Sequence, residues 1–189
     1  MQAHEYGFGQ KENGIEIMND FFSTIKKHQE QNLPFVIYSK PNSSSIFAFL
    51  QQDDTLYTVS DYSEKGFVFA SFDEKQLVLI PESESKIISA EQTKVDFNPI
   101  EIEDLNFDAE AKLQYENLVE KGVEAIKNEE FKKVVLSRSE KVDLVNFDFS
   151  ITFQRLIHLY PATFSYCFFH PQIGLWMGAT PEQLLKASG

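Results

Sequence analysis

"TFSYCFFHPQIGLWMGATPEQLL", residues 163–185, reads as two apolar runs around a turn. Thr163 to Phe169 forms one strand, His170 to Gly174 turns, and Leu175 to Gly178 starts the return. Both runs are almost continuously apolar instead of alternating with polar residues, so both faces of the hairpin are expected to be covered. A hairpin sandwiched in this way calls for a layered α+β fold.

The elements before the hairpin fit that expectation. Asp148 to Tyr160 reads as a helix with Phe149, Phe153, Leu156, Ile157 and Tyr160 on one face, stopped by Pro161. Upstream, "EEFKKVVLSRSEKVDL", residues 129–144, contains a tight apolar run and predicts a strand over about 131–144. Ala109 to Asn128 carries a helical stripe of Ala111, Tyr115, Leu118, Val119, Gly122, Ala125 and Ile126, with Asp108 placed to cap it. Gly122 costs about 1 kcal/mol relative to alanine in a helix interior. A glycine on the buried stripe therefore predicts that another element packs very close there.

Toward the N-terminus, Ile15 to Gln31 is an amphipathic helix with Met18, Phe21, Phe22 and Ile25 on one stripe. "PFVIYSK", "SIFAFLQQ", "TLYTVS", "GFVFASF" and "KQLVLIP" follow as strand candidates, with the turn-rich "PNSSS" between the first two. Glu82 to Asp108 is polar and acidic and reads as a connector. The division expected from this pattern is an N-terminal α+β region over 1–105 and a second region over 106–189.

Composition narrows the function classes. The 189 residues are 42% hydrophobic and 14% aromatic, with 18 Phe, which is a globular composition. A formal net charge of −12 disfavours nonspecific binding to nucleic acid or an anionic membrane. No stretch approaches the roughly 20 apolar residues of a membrane span, and the N-terminus lacks a signal pattern, so a cytoplasmic protein is expected. Cys167 is alone, which excludes an internal disulfide. His4, His28, His158 and His170 show no metal-ligand spacing, and His158 and His170 read as structural. Ser137 has no adjacent histidine to activate it.

Two places can carry acid–base chemistry. In a strand, Lys133, Val135 and Ser137 share one face, and Lys132, Val134, Leu136 and Arg138 the other. Both lysines can snorkel to water from the strand end. Alternatively one is buried, which lowers its pKa and makes it a general base. In "GATPE", residues 178–182, Glu182 lies just past a buried strand. It is either an ordinary turn residue or a carboxyl group raised in pKa by an apolar pocket and able to act as an acid.

The pairing of "FKKVVLSR" with "GLWMGATPEQLL", separated by a helix and a Phe-rich strand, resembles the chorismate-utilising enzymes, and within them isochorismate synthase. The resemblance covers roughly residues 109–189. It implies the α+β layered sandwich of the anthranilate synthase component I type, with chorismate as substrate and Mg²⁺ as cofactor. It implies a reaction in which water adds at C2 and the C4 hydroxyl leaves. The lysine base maps to Lys133 and the acid to Glu182, with Gly178, Ala179 and Thr180 at the substrate. Family members that use ammonia carry "YQxNLxxR" where this chain has "KVVLSR", so Lys133 favours water as nucleophile; salicylate synthases share the lysine. The resemblance does not separate menaquinone from siderophore synthesis. Family members run to several hundred residues, with the Mg²⁺ ligands and most carboxylate contacts toward the C-terminus. The expectation is therefore that this chain is the front part of an enzyme, inactive alone, and prone to self-association through an exposed apolar edge.

Overall fold

The computed structural model describes residues 14–71, 75–93 and 108–181, with side chains in the first helix described from Met18 onward. The chain forms two compact units. One runs to Phe97 and resumes at Asp148; the other is Asn98–Phe147.

The larger unit opens with helix α1, Gly14–Glu30. Lys27 in its last turn suits the negative end of the helix dipole. Asn32 takes the left-handed conformation just beyond it, which asparagine tolerates well. Strands β1 (Phe35–Ser39) and β2 (Ser45–Gln51) then form a hairpin, with Asn42 again left-handed in the turn. The short β3 (Tyr57–Thr58), β4 (Gly66–Ala70) and β5 (Leu77–Pro81) form a separate three-stranded sheet in the order β3-β5-β4.

Ser85–Glu91 corrects the sequence reading of the 82–108 stretch as a connector. It is strand β6, paired antiparallel along the whole of β2. Its alternation is weak because only Ala90 is buried, so the strand lies at a sheet edge with little apolar signal.

After the smaller unit, Asp148 caps helix α3 (Phe149–Leu159) by accepting from the backbone amides of Ser150 and Ile151 at 2.8 and 3.3 Å. Phe149, Phe153 and Ile157 are its buried residues; Tyr160 lies past its end and is exposed, unlike the predicted stripe. The hairpin is as predicted, with β7 at Phe164–His170, β8 at Gly174–Thr180 and left-handed Gly174 beginning the return. Strand β7 pairs with β1, giving a five-stranded antiparallel sheet in the order β6-β2-β1-β7-β8. The sheet thus joins strands from both sides of the expected boundary at residue 105.

Covering of both faces of β7 is realised. One face packs Ile37, Ala48 and Cys167 against Phe21, Phe22 and Ile25 of α1 and Phe149 and Phe153 of α3. The other face buries Val36 and Phe168 against Val78 and Ile80 of the small sheet. There the Phe69 and Phe168 rings stack with centroids 4.5 Å apart. This is mixed α+β architecture in three layers, with helices, a large sheet and a small sheet.

The smaller unit is described from Asp108. Its helix α2 spans Ala109–Lys127, with the Asp108 carboxylate accepting from the amides of Glu110 and Ala111, both at 3.0 Å. Residues 131–144 do not form the predicted strand. A strand needs a neighbour to complete its backbone hydrogen bonds, and none of the described residues of this unit supplies one. The predicted stripe of α2 is correspondingly only partly covered: Gly122 is buried, while Leu118, Val119 and Ile126 stay exposed.

Candidate functional site

The GAT corner is built by the β7–β8 ladder. Counting outward from the turn pairs Tyr166 with Gly178, Ser165 with Ala179 and Phe164 with Thr180. Gly178 and Thr180 therefore share the sheet face of Phe164 and Tyr166, and Ala179 the opposite one. Pro181 follows at the point where the ladder stops, as expected of a residue with no N–H to give. Gly178 is not replaceable by a larger residue without movement. A Cβ there would meet Cε1, the hydroxyl oxygen and Cζ of Tyr166 at 2.9, 3.0 and 3.1 Å.

Lys133 belongs to the smaller unit. The predicted close approach at Gly122 is present: a Cβ there would meet Leu136 Cδ1 at 3.0 Å and Val134 Cγ1 at 3.4 Å. The Tyr115 hydroxyl reaches the Leu136 carbonyl at 3.5 Å, the outer limit of a hydrogen bond. Val134 and Leu136 thus face α2, and Val135 points away, 81% exposed. The alternation expected of a strand survives in this irregular segment. Lys133 is exposed among the described residues, as the snorkelling alternative has it. Burial of that amine needs a layer over Val135, and α2 lies on the other side.

Gly178, Ala179 and Thr180 stand together on β8. Glu182 lies outside the described residues. Among the described residues no group of three or more His, Cys, Asp or Glu side chains converges as a metal site. His28 is structural, its Nε2 lying 3.0 Å from the Pro34 carbonyl oxygen. His170 is also buried, at the end of β7, with Nδ1 accepting from the Gln172 amide at 3.2 Å. His158 is exposed on α3, and His4 lies outside the described residues. Burial pushes the Cys167 thiol up to about 12, so it is no nucleophile.

Sequence reasoning missed the aromatic wall beside the corner. A cleft of about 390 Å³ between the two sheets is lined by Phe69, Ser71, Gln76, Tyr166, Ile173 and Trp176. Burial raises the Tyr166 phenol above its ordinary value of 10.0. The hairpin register, read from the turn, already sets Tyr166 opposite Gly178; that a tyrosine stands there among phenylalanines was the available signal.

Among the described residues, no helix is long and apolar enough to cross a membrane. A family model described as "Chorismate binding enzyme" matches residues 45–189. No curated protein and no solved structure matches the chain.

Proposed function

The chain belongs to the chorismate-binding enzyme family, and we propose that it carries the base and the acid of an isochorismate synthase, which converts chorismate to isochorismate. The family match over residues 45–189 carries the reading, since it contains both the lysine segment and the GATPE corner. The finer assignment rests on Lys133 standing where ammonia-using relatives have another residue.

In this reading the Lys133 amine takes a proton from water as its oxygen attacks C2 of the ring. The ring double bonds shift and the C4 hydroxyl leaves, taking a proton from the Glu182 carboxyl group. One water enters and one departs, so the reaction is an isomerisation. The base must be neutral and the acid protonated at the working pH, which demands that both be desolvated. The docking of Val134 and Leu136 on α2 supports this by turning Lys133 and Val135 to a common outer face. A further layer of protein over that face would dry the amine. Mg²⁺ remains part of the proposal, with ligands from outside the described residues and a charge that would offset the substrate carboxylates. The anthranilate synthase component I type of sandwich is likewise proposed; the helix–sheet–sheet layering of the larger unit is compatible with it.

The exposure of Lys133 favours a second reading, in which the chain binds chorismate or a protein subunit and performs no catalysis. Kinetics separate the two. Lys133→Ala and Glu182→Gln should each lower kcat by about 10²-fold or more while leaving the melting temperature unchanged. Wild-type binding of chorismate without turnover supports the non-catalytic reading. Salicylate as the product would assign the protein to the neighbouring activity that shares the lysine.

A further inference from the structure

Gly178 and Tyr166 face each other in the β7–β8 ladder, and the distances between them fix how the tyrosine lies. The atoms nearest a Cβ at position 178 are Cε1, Cζ and the hydroxyl oxygen, the far part of the phenol. The ring therefore leans over β8 and does not stand straight up from the sheet. On its other side it meets Phe67 and Phe69, with centroids 6.2 and 6.0 Å away. Only a glycine on β8 leaves room for this pose.

The pose carries the hydroxyl to β8, two positions from Thr180, beside the interlayer cleft that Tyr166 lines. Among the described residues the hydroxyl has no hydrogen-bond partner. Packing does not explain an oxygen there, because phenylalanine fills the neighbouring positions 164, 168 and 169 of the same strand. The oxygen is not sealed in the core, so its O–H is open to a ligand entering beside β8. Burial also holds this phenol above its ordinary value, so it is a neutral donor throughout the physiological range.

We propose that the Tyr166 hydroxyl is a substrate-binding donor, giving its hydrogen bond to a carboxylate oxygen of the ligand held at the Gly178–Thr180 corner, and that residue 178 is glycine so that the phenol can reach it. The proposal rests on the reading of this corner as the chorismate site. Chorismate carries two carboxylates, and the phenol supplies a directional neutral donor for one of them without burying a second charge.

The test is steady-state kinetics on the full-length protein with chorismate and Mg²⁺. Tyr166→Phe keeps the ring and deletes the oxygen. It should raise KM for chorismate about tenfold, the effect of one hydrogen bond to a charged group, with kcat within about twofold and an unchanged melting temperature. Gly178→Ala displaces the ring from the other strand and should raise KM by a similar factor. Joining the two substitutions should add little, because both remove the same contact. An unchanged KM in Tyr166→Phe overturns the proposal, as does a loss confined to kcat. If Lys133→Ala abolishes turnover while Tyr166→Phe is silent, only this proposal falls. If the wild-type protein neither binds nor turns over chorismate, the reading of the corner falls with it.

Discussion

Leu136 is seated on the one gap that α2 leaves in its side-chain surface, at Gly122, with Cδ1 3.0 Å from where a Cβ would be. This contact and its neighbour at Val134 hold the lysine segment to the helix without any strand pairing. Two effects of Gly122→Ala oppose each other. Alanine gains about 1 kcal/mol of helix propensity. Against that, Leu136 must give way by a few tenths of an ångström, and it can, because the end of a leucine is mobile. The expected net change is within about 1 kcal/mol of zero by thermal melting. Gly122→Leu has no such escape. It should release residues 133–137, read as faster amide hydrogen exchange across that segment with α2 still helical by circular dichroism.

Asp148 joins two elements of the larger unit. Its carboxylate caps α3 and accepts from Lys26 Nζ at 2.6 Å. Burial alone would raise its pKa, but the bonds from Lys26, Ser150 and the amide of Ile151 outweigh that and bring it down to about 2. A depressed carboxylate stabilises the fold above its unfolded value of about 3.9, and that contribution is lost as pH falls toward 2. Asp148→Ala should cost about 1–2 kcal/mol at pH 7, mostly from the lost cap, since exposed ion pairs contribute little. The difference in melting temperature between the wild type and Asp148→Asn should shrink as the pH is lowered through this window.

His28 and His170 act in a higher window. Burial lowers both pKa values from the ordinary 6.5. The unfolded chain then takes up protons more readily than the folded one, so stability is fully present above about pH 6.5 and declines below it. Asp54 and the Thr55 carbonyl beside His170, and the Pro34 and Gln51 backbone beside His28, oppose the shift without reversing it. Chemical denaturation at pH 7.5 and pH 5.5 should show the lower stability at the acidic value, and His170→Phe should reduce that difference.

Cys167 offers a single-site report on unfolding of the larger unit. It is fully buried between the sheet and its helices, and its thiol is pushed up to about 12 by that burial. At pH 8 the native protein should resist iodoacetamide, and alkylation should appear at the denaturant concentration where circular dichroism is lost. Rapid modification under native conditions would contradict the packing of α1 and α3 on the sheet.

The parts of the fold that were legible in the sequence are those whose pattern is set locally. Met18, Phe21, Phe22 and Ile25 repeat at helical spacing, and all four are buried in α1. Asp108 stands one residue before a helical stripe and caps it, while Asp148, read as the first residue of its helix, proves to be the cap. Gly122 on a buried stripe announced a close neighbour, and Leu136 is that neighbour. Where partners decide, the sequence was misleading. Ser85–Glu91 is a strand because β2 offers it an edge, although its own residues are mostly polar. Phe131–Leu144 has the composition of a strand and, among the described residues of its unit, no edge to join. The pairing of β1 with β7 links residues more than a hundred positions apart, and no local pattern announces it. At the candidate site, Gly178, Ala179 and Thr180 could be placed on one strand by counting from the turn. The surroundings of Lys133 could not, because its desolvation depends on what lies over Val135.

The most direct measurement is product analysis by chromatography after the full-length protein is incubated with chorismate and Mg²⁺. Isochorismate should accumulate without added ammonia, and Lys133→Ala should abolish it while the melting temperature holds. Wild-type protein that leaves chorismate unchanged, or a Lys133→Ala variant that makes isochorismate at near the wild-type rate, would contradict the account.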